Sequence, residues 1–410
     1  MRVVIVTCRH CTVSSLYCVV ILLWALVGVT VRYNGGTHFG VRMLAMAGRN
    51  TEITVRGCCH VYCALDIGFS VDLKQCARVL HEACEEGEVQ RHAPGPAFLN
   101  LLPAPVRLVR PGTPISGSLY CAEDRVAITI YDFGAVSVEY RVPFAGTLEH
   151  LVALSSELYD TQRFASDARQ RAESLLADIG ATVRRPLVRP AVEDYLVFEI
   201  PSLDTPGVTP SAFVSEHQLV MAQLLSSSSK VLSQQQVREE LRRTIAYFDD
   251  DLTIITWNSA LLFGTQMEDV LTVLELANVQ LRELHYLDDR LDHSLQESYD
   301  LRAQTKSIKK LMQRIRELML DGQAFSEAVT NAFKPFPDVF SARVYALASR
   351  AMGLDHFDRS IRDKLSLLNT LYTTLADEAG HERSARLEWI VIILIFIEIL
   401  MGLGEKFFHS

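Results

Sequence analysis

The chain has 410 residues, 49% of them apolar, and a net charge of −9. This exceeds the usual length of one domain, allows a packed core, and excludes the basic surface of a nucleic-acid binder. The charge is uneven, since residues 1–51 hold five arginines (Arg2, Arg9, Arg32, Arg42, Arg49) and no acidic residue. All nine cysteines precede residue 122, so the rest of the chain has no disulfide framework, as suits a reducing compartment.

Residues 1–56 form a basic leader around the uncharged run 13–31. It reads as a signal anchor, a targeting sequence, or an extension upstream of a start at Met43 or Met46. Residues 57–263 read as an α+β domain of mixed strands and helices. The expected order is a strand at 60–68, an amphipathic helix at 71–87, a proline-rich loop from Pro94 to Pro114, and a hairpin at 126–142 broken at Asp132–Gly134. Helix follows at 147–179, a strand at 195–200, helix at 211–247 with a break at Ser226–Ser229, and a last strand at 252–263.

From 264 to 386 the pattern is helical almost without relief. Leu274, Leu281, Asp288 and Leu295 recur every seven residues beside Ala277, Leu284 and Leu291, and the stripe resumes at Ile308, Leu311, Ile315 and Leu318. After the two prolines of 331–337, Leu354, Ile361, Leu368 and Leu375 form a second heptad. Two such arms predict a long antiparallel, coiled-coil-like hairpin. Residues 387–403 (LEWIVIILIFIEILMGL) predict a transmembrane anchor carrying Trp389, Ile390, Ile393, Phe396, Glu398 and Leu400. Twelve of its seventeen residues are Leu, Ile, Val or Phe. Their insertion gain of about 4–7 kcal/mol exceeds the cost of about 3 kcal/mol for one acid. Glu398 reads as snorkelling, as sealing a helix contact, or as a functional intramembrane carboxylate.

No GxGxxG, Walker A, HExxH or GxSxG pattern is present. Two acidic clusters are the candidate metal ligands: Asp250 and Asp251, within Asp249–Asp251, and Asp288 and Asp292, near Glu283 and Asp289. Carboxylates so grouped suit a divalent cation, yet an acidic turn and a solvated helix face are the more ordinary accounts, and a register-setting polar residue explains Asp288 as well as a ligand does. Cys58, Cys59, His60, Cys63, Cys76, His81 and Cys84 lack the paired hooks of a zinc site and read as small buried side chains.

Several stretches resemble the "required for meiotic nuclear division" domain family. They are VYCALDIGFSVDL (61–73), ITIYDFGAVSVEY (128–140), YLVFEI (195–200), YFDDDLTIITWNSALLF (247–263), DVLTVLELANVQLRELHYLDDRLD (269–292) and LEWIVIILIFIEIL (387–400). Trp257, Asn258, Asn278, Glu283 and Tyr286 are the polar and aromatic positions of those motifs. The resemblance implies a membrane-anchored assembly or support factor, linked in mitochondria to translation at the inner membrane, with no assigned catalytic residue.

The sequence-based expectation is therefore a non-catalytic scaffold without cofactor. It self-associates or docks a protein partner at a membrane lipid surface and binds no nucleic acid directly. Its body lies on the cytoplasmic side of a bacterial inner membrane, or on the matrix side of the mitochondrial one. The alternative is a divalent-metal-dependent enzyme using Asp250, Asp251, Asp288 and Asp292.

Overall fold

The computed structural model describes residues 54–83, 89–91, 103–203, 207–264, 267–304, 310–317, 319–320, 322–323 and 339–408. The readings of the leader, of the loop at Pro94 and Pro96, and of Cys84 lie outside them. The strands are β1 (Thr54–Asp66), β2 (Ser70–Val71), β3 (Val89–Arg91), β4 (Val106–Pro111), β5 (Arg125–Ile130), β6 (Ala135–Thr147), β7 (Val183–Arg184), β8 (Glu193–Ile200), β9 (Thr244–Ile245), β10 (Leu252–Ile255) and β11 (Ser259–Phe263). The helices are α1 (Leu73–Ala83), α2 (Leu148–Asp160), α3 (Arg163–Ile179), α4 (Pro210–Glu216), α5 (Gln218–Leu225), α6 (Gln234–Glu240), α7 (Glu268–Gln304), α8 (Val339–Met352) and α9 (Leu354–Phe408).

Nine strands form one sheet in the order β3-β4-β5-β6-β1-β8-β11-β10-β9. All neighbours are antiparallel except β8 and β11, so the sheet is mixed. The long central strands β1 and β6 pair over their full lengths from Thr54↔Thr147 to Asp66↔Ala135. The β5–β6 hairpin turns at Gly134, whose φ of +94° suits glycine; a Cβ there would lie 2.1 Å from the Gly68 carbonyl oxygen. Alternate residues of β1 face opposite sides. Cys59, Val61, Cys63 and Leu65 join the core beneath α1 to α5, while Tyr62 and Ala64 face the side covered by α7. Thr147 caps α2 by accepting from the His150 N–H at 3.2 Å, and the extended Thr161 separates α2 from α3.

Several expectations are corrected. The α+β domain with an appended hairpin gives way to a mixed α/β layer in which the first half of α7 is itself a cover of the sheet. Leu276 and Val279 pack on Ala64, Tyr131, Phe133 and Ala135, and Val273, Leu274 and Ala277 join Tyr62, Tyr195 and Val197. The run 252–263 is a hairpin, β10–β11, with Trp257 and Asn258 in its turn.

The arms α7 and α9 run parallel. His285 meets the Phe357 ring edge-on at 4.3 Å, Asp288 accepts from Ser360 Oγ and Lys364 Nζ at 2.7 Å each, and Asp292 pairs with Lys364 at 2.7 Å, so the numbers rise together. By Gly322 the chain is back beside Leu291 and Leu365, so its return lies before α9 rather than in it. A heptad identifies the buried face of a helix but carries no direction, so the antiparallel reading fits the same pattern.

The transmembrane helix and the membrane localisation are also corrected: among the described residues no helix is long and apolar enough to cross a membrane. The exposed apolar side chains of this stretch, Leu387 and Trp389 to Ile397, are interrupted by Glu388 and followed by Glu398.

Leu354, Ile361, Leu368 and Leu375 are all at least 98% buried in the α7 seam. Leu368→Ala is expected to cost about 2–5 kcal/mol, read as a lower urea midpoint with an unchanged slope. A loss below about 1 kcal/mol would show that α9 is not held on α7.

Candidate functional site

The layer between the sheet and α7 is charged as well as apolar. The β1 register makes Glu139 on β6 and Glu199 on β8 diagonal neighbours of His60 on one face. His60 Nδ1 lies 2.8 Å from Glu139 Oε1, and Nε2 lies 3.2 Å from Glu199 Oε2. Arg107 of β4 donates to Glu139, donates to Thr129 Oγ1 at 3.2 Å, and lies 3.6 Å from the Glu275 carboxylate of α7. His60, Glu139 and Glu275 are buried, where an unpaired charge is costly, and the pairing offsets that cost.

Burial alone would push the Glu139 carboxyl up, but His60 and Arg107 hold it at about 2. Burial also opposes the imidazolium of His60, yet the hydrogen bonds to Glu139 and Glu199 outweigh it and raise its pKa. Glu275 is raised by burial against the pull of Arg107. Glu139 and Arg107 thus pair as ions at neutral pH.

A second knot joins the end of β1 to α7. Asp66 accepts from Arg189 Nε at 2.5 Å and from the Gly68 N–H at 2.9 Å, while the Arg189 guanidinium stacks 3.8 Å above the Tyr286 ring. Glu283 is fully buried beside them, and neither of its carboxylate oxygens has a hydrogen-bond partner among the described residues. Burial, reinforced by the charge of Asp66, raises its pKa well above the usual value despite Arg282 and Arg189.

A third group lies where α7 crosses the start of β8. Asn278 Nδ2 donates to the Glu193 carbonyl at 3.1 Å, and His285 Nδ1 lies 2.9 Å from the Glu193 carboxylate. A cavity of about 250 Å³ opens there, lined by Tyr159, Glu193, Asp194, Trp257, Asn258 and His285 together with three apolar side chains. Trp257 is 58% exposed, its ring edge-on to Tyr159 at 6.4 Å, whereas Asn258 is buried and its Nδ2 has no acceptor among the described residues.

The structure therefore brings Asn278, Glu283 and Tyr286 into the α7–sheet layer and Trp257 and Asn258 to its open end. The acidic candidates go elsewhere. Asp251 accepts from the Tyr247 and Phe248 N–H groups at 2.7 and 3.0 Å, closing the turn into β10, and Asp250 lines a separate surface hollow beside Phe263. Asp288 and Asp292 share Lys364, which supplies the positive charge between them. Among the described residues no three His, Cys, Asp or Glu side chains are grouped to hold a metal ion. Cys59, Cys63 and Cys76 are buried in the apolar core away from His60. Trp389, Ile390, Ile393 and Phe396 stand exposed on α9; the side chain of Leu400 lies outside the described residues.

His60, Arg107, Asp66, Glu139, Arg189 and Glu275 do not stand out as a site in the sequence, although two signals point to them. His60, Tyr62 and Asp66 alternate along an apolar strand, and Glu275, Asn278, Arg282 and Tyr286 recur at helical spacing inside an apolar helix.

A mixed sheet with one face sealed by a single long helix through buried ion pairs defines a mixed α/β protein. The family model for the N-terminal domain of the uncharacterized protein MJ0711 matches residues 56–269, just over half of the 410 residues, and the chain belongs to that family. This corrects the resemblance to the meiotic nuclear division family, and with it the translation link that only that resemblance implied. No curated protein and no solved structure matches the chain.

Glu283→Gln keeps the shape and removes the charge. The folded Glu283 holds its proton above the pH, about 4.3, at which the unfolded chain releases it. The folded state therefore binds more protons above that point, and the stability present below it is lost as pH rises. The glutamine variant is expected to unfold at higher urea than the parent at pH 8 and to match it near pH 4. Equal midpoints at both pH values would overturn the assignment. Glu139→Gln has the opposite sign: removing the carboxylate that His60 and Arg107 share is expected to cost about 3–5 kcal/mol at pH 7, with the gap closing as pH falls toward 2.

Proposed function

We propose that the protein is a non-catalytic scaffold that self-associates through the apolar end of α9. The observation that carries this reading is the run Leu387–Ile397, in which ten large apolar side chains are each 45–65% exposed. At 100° per residue, Trp389, Ile393 and Phe396 share one side, Val391 and Ile395 the opposite one, and Ile390, Ile392 and Leu394 fill the flanks. A helix apolar all round is one that is buried, and a contiguous exposed patch of this kind marks an interaction site. One groove covers one face; a bundle of like helices covers every face. A second copy is therefore the fitting partner.

The interior supports the non-catalytic reading. His60, Glu139, Arg107 and Glu275 beneath α7 are engaged with one another, and Lys364 stands between the carboxylates of Asp288 and Asp292.

Sedimentation of the full chain is expected to give an oligomer, and Ile393→Asp with Phe396→Asp a monomer of unchanged helix content. A monomeric parent, or an oligomer untouched by the two aspartates, would overturn self-association through this run.

A further inference from the structure

The cavity at the β10–β11 turn takes no part in the proposed association, and its lining has a definite chemistry. It carries two carboxylates, Glu193 and Asp194, and neither Lys nor Arg among its lining residues. His285 fixes Glu193 by its 2.9 Å contact, which leaves Asp194, at the exposed start of β8, as the available anion. Trp257 and Tyr159 stand exposed at the same place, and an indole face beside a carboxylate attracts an organic cation.

Asn258 adds an independent demand. It is 94% buried (6% exposed), its Oδ1 accepts from Thr256 Oγ1 at 3.2 Å, and its Nδ2 has no acceptor among the described residues. A buried donor without an acceptor is costly, and an acceptor atom on a ligand removes that cost. The volume of about 250 Å³ holds about eight water-sized groups at roughly 30 Å³ each, so the ligand, or the part of it that enters, is small.

We infer that this cavity binds a primary ammonium next to a carbonyl, as in an amino-acid amide or the amino terminus of a peptide. The ammonium sits against Trp257 and Asp194, and the carbonyl accepts from Asn258 Nδ2. The specificity resides in the pair: charge alone satisfies the carboxylate and ring, and only the adjacent acceptor satisfies the amide.

The test uses the full chain carrying Trp24→Phe and Trp389→Phe, which leaves Trp257 the sole tryptophan of three. The titrant is L-leucinamide at pH 6.5, below the usual α-amino pKa of about 7.7–8.0. Saturable quenching of Trp257 is expected. N-acetyl-leucinamide, which lacks the charge, is expected to bind at least tenfold more weakly, and isoamylamine, which lacks the carbonyl, at least threefold more weakly. By calorimetry, Asp194→Asn is expected to weaken leucinamide about tenfold while the melting temperature of the unliganded chain does not fall. No saturable response, equal affinity for the acetylated amide, or an unaffected Asp194→Asn variant would each overturn the proposal. Once leucinamide binds, a tetrapeptide with a free amino terminus separates the sources. Binding as tight as the amide identifies chain termini, exclusion identifies a free small molecule, and either result upholds the ammonium–carbonyl chemistry.

Discussion

The mutual neutralisation of charges between the sheet and α7 is the constraint on which the rest of the structure depends. His60, Glu139, Arg107 and Glu275 come from β1, β6, β4 and α7, and none of the three buried members is tolerable alone. An apolar interface of the same area would hold α7 as well but would let it slide or rotate. Ion pairs of fixed geometry do not, because a shift of one turn, about 5.4 Å, strands a carboxylate in the core. Fixing α7 also fixes the C-terminal helices, because α8 and α9 pack along it, Tyr345 of α8 at Gln280 and Lys364 of α9 at Asp288.

Stability and placement pull against each other at Glu283. Its carboxyl is buried with no hydrogen-bond partner for either oxygen among the described residues, beside another buried acid, Asp66. The Arg189 guanidinium serves Asp66 and the Tyr286 ring and so holds the chain before β8 against α7. The same stretch of α7 presents Asn278 and His285 to Glu193, which sets the open wall of the cavity. A network that is costly in its middle thus positions the side chains at its rim.

Much of the fold is legible in the sequence because local patterns reflect local physics. The β5–β6 hairpin follows from β-rich runs around a glycine at positive φ, and the α7 and α9 seams follow from the heptads. What stays hidden is relational. Cys59 and His60 are adjacent in sequence but face opposite sides of a sheet, so a patch that resembles one ligand set is two unrelated environments. The run 252–263 reads as one strand because a single Asn258 beside Trp257 is a weak turn signal inside a β-rich run; the turn is held by the Thr256 hydroxyl and the Ser259 backbone. The apolar tail reads as a short membrane span from its composition, yet among the described residues no helix is long and apolar enough to cross a membrane.

The direction of α9 shows how one polar pair decides what apolar periodicity leaves open. Parallel neighbours place like ends of their helix dipoles together, so an apolar seam alone gives no preference for this arrangement. Asp288 occupies a core position of the α7 heptad, and Lys364, three residues after Ile361, occupies the companion seam of α9. The two meet at 2.7 Å, with Ser360 completing the acid's hydrogen bonding. Sliding α9 by one heptad would set Phe357 or Leu371 against Asp288 and leave an acid among apolar side chains. Reversing α9 would change every neighbour of that pair at once. A polar pair within a heptad core is a known device for setting register. Here the same pair also sets the direction in which α9 runs along α7.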